Sequence, residues 1–285
     1  MPELPEVEVL VRHLAPSLRG KMIREVNVRR AKVLGSTSER NFRAALLGAK
    51  FLNVNRRGKF ILFTLRSGQR RESFIVVGHL GMTGRMYLQP ASEPPPKHAA
   101  VVLDLGKLNF IYEDTRYFGR LTLDARGLKK LGPEPFSAEF SAAYFTAALR
   151  RSSQAIKVKL LDQSLVVGVG NIYASEALFR AGVSPRLSAR KLSAKNIECL
   201  RLAIINVLAE AIQLGSTLPL DWAGRSARDG LFYYGRAKDA VDFSAERLLV
   251  YDRAGEPCAL CGASIRRIVQ AARSTFYCPQ CQQVR

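Results

Sequence analysis

Four cysteines near the end of the chain constrain the fold of that region more than any other feature. They form two CxxC pairs, Cys258 with Cys261 and Cys278 with Cys281, separated by sixteen residues. Four thiolates at this spacing typically surround one tetrahedral zinc ion. Redox chemistry at one pair, or disulfides, are alternatives, but two pairs in a short terminal segment favour structural zinc. Cys199 lies in a helical apolar pattern and is predicted to be a buried small hydrophobic residue.

The charge balance predicts a polyanionic partner. The 285 residues include 44 Lys and Arg against 24 Asp and Glu, which gives a formal net charge of +20. Such an excess favours nucleic acid, because phosphate contacts release condensed counterions. A basic membrane-surface protein is the alternative, but we find no basic amphipathic helix with a broad apolar face, no apolar run of membrane-spanning length and no signal peptide. We therefore expect a cytoplasmic, DNA-associated protein in a reducing compartment.

The first half of the chain is predicted to be rich in short strands after an N-terminal helix. β-Branched and aromatic runs are separated by Gly, Ser-Gly and Pro breakers, at the spacing of an antiparallel sandwich or barrel. The predicted strands are 59–65, 73–77, 101–105, 109–112 and 120–123. The Gly-Pro-Glu-Pro segment at 132–135 predicts a linker.

Beyond this linker the pattern becomes helical. Helices are predicted over 140–150, 155–163, 172–181 and 194–214, the last with Ser193 as its N-cap. Residues 216–245 have little periodicity and are predicted to be mostly loop. The chain is thus expected to divide into domains at 1–131, 132–245 and 246–285.

A glycine-rich segment precedes the third of these helices. Gly168-Val169-Gly170-Asn171 allows a tight turn, and its backbone N–H groups, with the helix N-terminus, suit a phosphate. It is not a dinucleotide fingerprint, because no strand–turn–helix unit surrounds it. Close helix packing is the alternative explanation, and the basic charge favours a clamp on a DNA backbone.

The first eight residues, Met-Pro-Glu-Leu-Pro-Glu-Val-Glu, carry chemistry of their own. Removal of Met1 would expose the secondary amine of Pro2 at a helix start, where the positive end of the helix dipole is expected to lower its pKa. With Glu3 beside it, such an amine is equipped for Schiff-base chemistry on a sugar carbon. The plain alternative is a solvated helix start.

Together these motifs resemble the formamidopyrimidine-DNA glycosylase family of base-excision repair enzymes, which is related to endonuclease VIII. The matching pieces run almost end to end and are the segments 2–6, 56–59, 79–82, 165–176 and 273–278. The resemblance implies an α+β fold with an N-terminal β-sandwich and leading helix, a helix–two-turns–helix domain, and a C-terminal four-cysteine zinc finger. It also implies damaged double-stranded DNA as the partner and a monomeric state.

The resemblance implies a role for individual residues. Pro2 would attack C1′ of the damaged nucleotide, Glu3 would be the acid/base and Glu6 would support it. Lys59 would hold phosphates around the everted nucleotide, although without the resemblance it reads as a solvated lysine opening a strand. Contacts to DNA are implied for His79, Met82, Arg116, Phe118, Lys157, Asn171, Tyr251 and Arg273.

Three of these residues match a set that fills the gap left by base eversion. Met82 and Phe118 would occupy the opened stack, and Arg116 would hydrogen-bond the orphaned partner base. Taken singly, Met82 and Phe118 are better explained as core residues. The context from Asp114 to Gly119 favours the gap-filling role.

The sequence departs from the family pattern in two places. Thr115 and Tyr117 stand where proline and a second basic residue are common, which leaves the opposite-base preference open. Residues 216–247 lack the usual glycine-rich pattern of the loop that caps 8-oxoguanine, which leaves the lesion open. Excision of oxidised pyrimidines, and DNA binding without catalysis, are therefore the alternative functions.

Overall fold

The computed structural model describes residues 2–68, 72–216 and 248–283, which belong to two compact units. The first unit contains the described residues up to 129 together with 215–216, and the second contains 130–214 together with 248–283. Most of the predicted 216–245 loop, and the departures from the family pattern within it, lie outside the described residues. No helix in the described ranges is both long and apolar enough to cross a membrane.

The first unit is a β-sandwich preceded by a helix. In its described part, one antiparallel sheet has the strand order β1-β6-β7-β5 and the other β2-β3-β4-β8. Every strand predicted from the sequence is present, and the two separate sheets settle the choice between sandwich and barrel. Its elements are α1 (Leu4–Leu18), β1 (Glu25–Val28), a 3-10 turn (Ala31–Leu34), α2 (Glu39–Leu46), β2 (Lys50–Arg57), β3 (Phe60–Arg66), β4 (Ser73–His79), β5 (Gly84–Pro90), β6 (Ala99–Asp104), β7 (Leu108–Asp114) and β8 (Arg120–Thr122).

One hydrophobic core joins both sheets and the first helix. Strand β3 alternates buried and half-buried residues, so Ile61, Phe63 and Leu65 all face inward. Phe63 meets Phe110 of the opposite sheet edge-to-face, with ring centroids 5.6 Å apart. Val7 and Leu14 of α1 belong to the same cluster. Burial of each such side chain contributes about 1.5–3 kcal/mol, and the shared core fixes the start of α1 against the sandwich.

The second unit is mainly helical and ends in a short hairpin. All four predicted helices are present, although α4 is shorter than predicted. Ser193 caps the last of them, since its Oγ accepts a hydrogen bond from the Asn196 N–H at 3.1 Å. The elements are a 3-10 turn (Arg126–Lys130) at the junction of the units, α3 (Ala142–Arg150), α4 (Ile156–Leu160), α5 (Asn171–Arg180), a 3-10 turn (Ala189–Lys191), α6 (Ala194–Ser216), β9 (Arg266–Gln270) and β10 (Arg273–Tyr277).

The prediction for Cys199 is wrong, because this residue is exposed. The buried face of α6 includes Ile197, Leu200 and Ile204. A pattern read at every fourth residue advances about 40° around the helix at each step, so Cys199 lies about 80° from Val207 and off that face. The sequence pattern correctly predicted an apolar face on α6, but Cys199 lies outside that face.

Candidate active site and metal centre

The start of α1 is buried rather than solvated. Pro2 is buried, and Glu3 and Glu6 are 2% and 7% exposed. Glu3 is the N-cap residue, and the Glu6 carboxylate accepts a hydrogen bond from the Glu3 backbone N–H at 2.8 Å. Pro5 occupies the second helical position, where a missing N–H costs nothing. The chain thereby holds two carboxyl groups in the first turn beside Pro2.

A hairpin turn brings Lys59 close to His79. Gly58 adopts a left-handed φ of +56° in the turn, Lys59 is only 7% exposed, and the next residue, Phe60, pairs with His79. Burial, followed by the charges of Lys59 and Arg120, lowers the pKa of His79 to about 4. His79 Nδ1 accepts a hydrogen bond from the Gly81 N–H at 3.1 Å. The imidazole is therefore neutral at pH 7, with its proton on Nε2, which is a hydrogen-bond donor.

An ion-pair network ties α1 to the strand before this turn. The Glu8 carboxylate lies 2.7 Å from Arg56 Nε and 2.8 Å from Arg12 Nε. Burial raises the pKa of Glu8, but the hydrogen bonds and charges of Arg56 and Arg12 outweigh it and lower the pKa overall. The i,i+4 spacing of Glu8 and Arg12 was visible in the sequence, whereas the pairing with Arg56 joins distant segments and was missed.

Met82, Arg116 and Phe118 form one exposed cluster, here called the 82/116/118 cluster. Met82 is 47% and Phe118 50% exposed, so neither is a core residue. Arg116 Nη1 lies 3.4 Å from Met82 Sδ, and its guanidinium carbon lies 4.7 Å from the centre of the Phe118 ring. Two apolar side chains and one planar cation are thus presented together at the surface.

Asp114, which the sequence reasoning did not single out, organises the loops that carry this cluster. It is fully buried, and its Oδ1 accepts hydrogen bonds from Thr83 Oγ1 at 2.6 Å and the Arg116 N–H at 3.1 Å. Its Oδ2 accepts a bond from the Gly119 N–H at 2.8 Å. A Cβ on Gly119 would lie 2.5 Å from the His79 carbonyl oxygen, so the loops meet only because residue 119 is glycine.

In the second unit, Asn171 links the glycine-rich turn to the terminal hairpin. The buried Lys157 donates a hydrogen bond from Nζ to Asn171 Oδ1 at 2.6 Å. Asn171 Nδ2 in turn donates to the Ser274 carbonyl oxygen at 2.8 Å. Asn171 is the first residue of α5, and the preceding glycine-rich turn, 168–170, is buried. The sequence predicted a DNA contact for Lys157 and for Asn171 separately, and the structure shows that the two side chains are hydrogen-bonded to each other.

Arg273 lies at the tip of that hairpin. The turn residues Ala271 and Ala272 both have left-handed φ values, of +47° and +57°, as a tight hairpin connection requires. Arg273 is exposed and opens strand β10, opposite Gln270. Its side chain is therefore presented to solvent on a short hairpin.

Glu176 holds the finger to α5 and Gln282 holds it to the segment after α5, and neither residue was assigned a role from the sequence. The Glu176 carboxylate accepts hydrogen bonds from the backbone N–H groups of residues 249, 250 and 251 at 2.8–2.9 Å. The Tyr251 ring packs edge-to-face on Phe276 at 5.1 Å. Gln282 donates to the Val183 carbonyl oxygen and accepts from the Cys278 N–H, both at 2.9 Å. The contacts of Glu176 with residues 249–251 and of Gln282 with Val183 join distant parts of the sequence, so no local pattern indicates them.

The four predicted metal ligands converge on one point. All four Sγ atoms lie within 4.8 Å of one another, and Cys261 Sγ is 3.5 Å from both Cys278 Sγ and Cys281 Sγ. Tetrahedral zinc with Zn–S bonds of about 2.3 Å separates its sulfurs by about 3.8 Å. The Leu260 N–H donates to Cys258 Sγ at 3.4 Å, which favours a thiolate there. The donor set fits one structural zinc ion.

The predicted residues thus fall into two sets. Pro2, Glu3, Glu6, Lys59, His79 and the 82/116/118 cluster belong to the sandwich, and Lys157, Asn171, Tyr251, Arg273 and the zinc cysteines belong to the helical unit. The described chain thus combines a β-sandwich that holds Pro2 beside two carboxyl groups, a helical unit and a four-cysteine metal site.

Comparisons with known proteins identify the family. Models of the formamidopyrimidine-DNA glycosylase N-terminal domain, its H2TH domain, and the zinc finger found in FPG and IleRS match residues 1–121, 131–219 and 255–284. The formamidopyrimidine-DNA glycosylase of Desulfitobacterium hafniense is 43% identical over 289 residues, covering 99% of this chain and 100% of that protein. That of Burkholderia thailandensis is 41% identical, with the same coverage.

Solved structures agree with the sequence relatives. Lactococcus lactis Fpg bound to DNA containing N7-benzyl-Fapy-dG has a TM-score of 0.86 and 33% identity, covering 99% of this chain and 100% of that one. The same Fpg with abasic-site DNA has a TM-score of 0.85, 33% identity and the same coverage. The chain belongs to the formamidopyrimidine-DNA glycosylase family, whose members combine glycosylase and abasic-site lyase activity. It is a zinc-containing, DNA-binding repair enzyme.

Proposed function

We propose that this enzyme excises oxidised bases through a Schiff base on Pro2 and then cleaves the DNA strand by β- and δ-elimination. The carrying observation is the buried start of α1, where Pro2, Glu3 and Glu6 lie together. A carboxylate is rarely buried unless hydrogen-bonded, and Glu6 is held by the Glu3 N–H. The Glu3–Glu6 pair caps α1, and the same arrangement supports an amine that must be oriented beside an acid/base.

The chemistry follows from these groups. With Met1 removed, the Pro2 nitrogen attacks C1′ and loses its proton, while the bond from C1′ to the damaged base breaks and the base leaves with a proton. The bond from C1′ to the ring oxygen O4′ then breaks, with a proton transferred to O4′, and the nitrogen lone pair forms the iminium. The resulting iminium at C1′ acidifies the neighbouring sugar protons, so the 3′ phosphate and then the 5′ phosphate depart as leaving groups. Glu3 transfers the protons in these steps, and Glu6 holds the Glu3 backbone in place.

The remaining residues bind and open the DNA. Lys59, together with the Nε2–H of neutral His79, contacts phosphates around the everted nucleotide. Lys157 orients Asn171, which grips the backbone with Arg273 on the hairpin and Tyr251 at its base. Backbone contacts of this kind position the duplex without reading its sequence.

The 82/116/118 cluster fills the gap that eversion leaves. Met82 and Phe118 are exposed apolar side chains on braced loops, as an intercalating wedge requires. Arg116 offers a planar fork of donors to the orphaned base. Because Arg116 contacts both Met82 and Phe118, the three residues enter the duplex as one unit.

Formamidopyrimidines and 8-oxoguanine are the proposed lesions. Excision of oxidised pyrimidines is the second candidate, and one related structure, 32% identical over 99% of this chain, is of Lactococcus lactis Fpg with DNA containing an oxidised pyrimidine. We further propose that the enzyme acts as a cytoplasmic monomer, since one copy carries every residue assigned above. A lesion panel of duplexes containing formamidopyrimidine, 8-oxoguanine and oxidised pyrimidines separates the two substrate classes.

Borohydride trapping on abasic-site DNA tests the chemistry. Protein with Pro2 as its first residue is expected to give a covalent adduct, and protein with an extended N-terminus is expected to give none. Pro2→Gly is a poor control because glycine also offers an amine. No adduct from the processed protein would falsify the Schiff-base proposal and favour a protein that only binds DNA.

A further inference from the structure

Tyr117 has an environment unlike that of its neighbours in the 82/116/118 cluster. Arg116 and Phe118 are exposed, whereas Tyr117 is half-buried and packs against the sandwich core. Its φ is +54°, in the left-handed region that bulky residues rarely occupy. Such a conformation persists only where surrounding contacts hold it. The reversal of the chain at Tyr117 directs its side chain inward and its two neighbours outward.

Arg30, from the opposite end of the sandwich sequence, supplies one of those contacts. Its Nε donates a hydrogen bond to the Tyr117 hydroxyl at 3.3 Å, and its guanidinium carbon lies 5.7 Å from the centre of the ring. The backbone of Arg30 is fixed, because its N–H donates to the Ala100 carbonyl oxygen of β6 at 3.1 Å. Arg120 Nη1 donates to the Tyr117 carbonyl oxygen at 3.4 Å, so both ends of the tyrosine are bonded.

We propose that Arg30 and Tyr117 are a positioning pair that sets the gap-filling residues for the orphaned strand, an inference that rests on the proposed function. Asp114 fixes the backbone at Arg116 and Gly119, but the side chain of the intervening Tyr117 is held by Arg30. Loss of the pair lets residues 115–119 leave the left-handed turn and separates Arg116 and Phe118 from Met82. The pair therefore acts on eversion and opposite-base discrimination, and not on the chemistry at C1′.

The test compares Tyr117→Phe, Arg30→Lys and the double variant in single-turnover excision of a formamidopyrimidine placed opposite cytosine or adenine. Tyr117→Phe removes only the hydroxyl, and Arg30→Lys keeps the charge but loses the Nε donor and the flat guanidinium. Each single variant is expected to slow excision from the duplex by about 3- to 10-fold, the range set by one hydrogen bond. The double variant is expected to be no slower than the slower single variant, because both changes remove one interaction. The ratio of the excision rates measured opposite cytosine and opposite adenine is expected to move closer to one.

Borohydride trapping on a single-stranded abasic oligonucleotide is the accompanying measurement. Such DNA has no stack to fill, so all three variants are expected to trap at the wild-type rate. Tyr87→Phe is the matched control, since it removes a tyrosine hydroxyl bonded to Glu113 at 3.0 Å elsewhere in the sandwich. It is expected to excise and trap as the wild type does.

Three outcomes would overturn the pairing. The first is excision from duplex DNA at the wild-type rate in either single variant. The second is a double variant whose fold-loss in excision rate is the product of the two single losses. The third is a loss of trapping rate on single-stranded abasic DNA equal to the loss of excision rate on duplex DNA. Failure of the wild type to form any trapped adduct would instead remove the proposed function. The two failures are thus distinguishable in one experiment.

Discussion

The two methionines of β5 and the turn before it show how position decides the role of a residue. Met82 is 47% exposed in the 82/116/118 cluster, whereas Met86 is fully buried in the sandwich core. Sequence alone favoured core filling for a single methionine, and this explanation fits Met86. Exposed apolar side chains on a rigid loop have no stabilising role to lose, so the two residues are expected to respond differently to truncation.

Met82→Ala is expected to leave the free energy of unfolding within about 0.5 kcal/mol of wild type while slowing excision from duplex DNA about 10-fold or more. Met86→Ala is expected to cost about 2–5 kcal/mol of stability through the cavity that it leaves. Urea unfolding and single-turnover excision, measured on Met82→Ala and Met86→Ala, check both expectations. A large loss of stability in Met82→Ala would contradict the assignment of an exposed wedge.

Burial of His79 is expected to make the free energy of unfolding fall as the pH is lowered. Its folded pKa is about 4 against an ordinary 6.5, because burial disfavours its charged form. Between these values the unfolded chain binds a proton that the folded chain does not. Stability is therefore full above about pH 6.5 and falls toward pH 4, by up to about 3 kcal/mol. Urea unfolding of the wild type and of His79→Gln at pH 7 and pH 4.5 measures this effect. The free energy of unfolding is expected to fall less between the two pH values in the variant than in the wild type. An identical decline in both proteins would contradict it.

At the scale of elements, the predictions from sequence succeeded where a side-chain pattern repeats locally. Strand β3 alternates cleanly, and α6 carries a cap and a long apolar stripe, so both were predicted. Strand β2 was missed because Asn53, Asn55 and Arg56 interrupt its apolar residues. The finger's attachment to α5 was missed for a different reason, since Glu176 bonds to residues 249–251 far along the chain.

Glu176→Gln is expected to loosen the finger without unfolding the sandwich. The carboxylate satisfies three backbone N–H groups with two oxygens, and glutamine offers one oxygen and turns an NH₂ toward the rest. The cost is about 1–3 kcal/mol of local stability. Hydrogen exchange is expected to speed up in 249–251 and in β9 and β10 while the strands of the sandwich keep their protection. Unchanged exchange in the finger would contradict the attachment.

Zinc removal is the stronger perturbation of the same element. Without the metal, the bonds that hold the four Sγ atoms within 4.8 Å of one another are lost, and a finger of this size has few buried side chains to compensate. Chelation is expected to release about one zinc per chain, to abolish duplex binding and to leave the sandwich folded. Metal analysis beside circular dichroism and DNA binding measures all three. Intact binding by a fully stripped chain would contradict a structural role for the metal.

At the scale of the whole molecule, the net charge of +20 is the sequence feature that most directly predicts a nucleic-acid partner. Charge indicates a polyanion but not which residues touch it, and here the folded contacts decide. Arg273 is exposed at a hairpin tip, while Arg201 is already paired with Glu198 at 2.7 Å. An arginine whose charge is compensated within the protein releases few DNA counterions.

The salt dependence of DNA binding is expected to separate these two arginines. Each phosphate contact contributes a slope of about −0.9 in a plot of log K against log salt. Arg273→Ala is expected to reduce the magnitude of the slope by about 1 and to weaken binding to damaged and undamaged duplexes alike. Arg201→Ala, which removes the same formal charge, is expected to keep the wild-type slope. Titrations at four salt concentrations on both duplexes measure this. Equal slope changes in the two variants would mean that binding responds to net charge alone, and the assignment of Arg273 as a backbone contact would then be wrong.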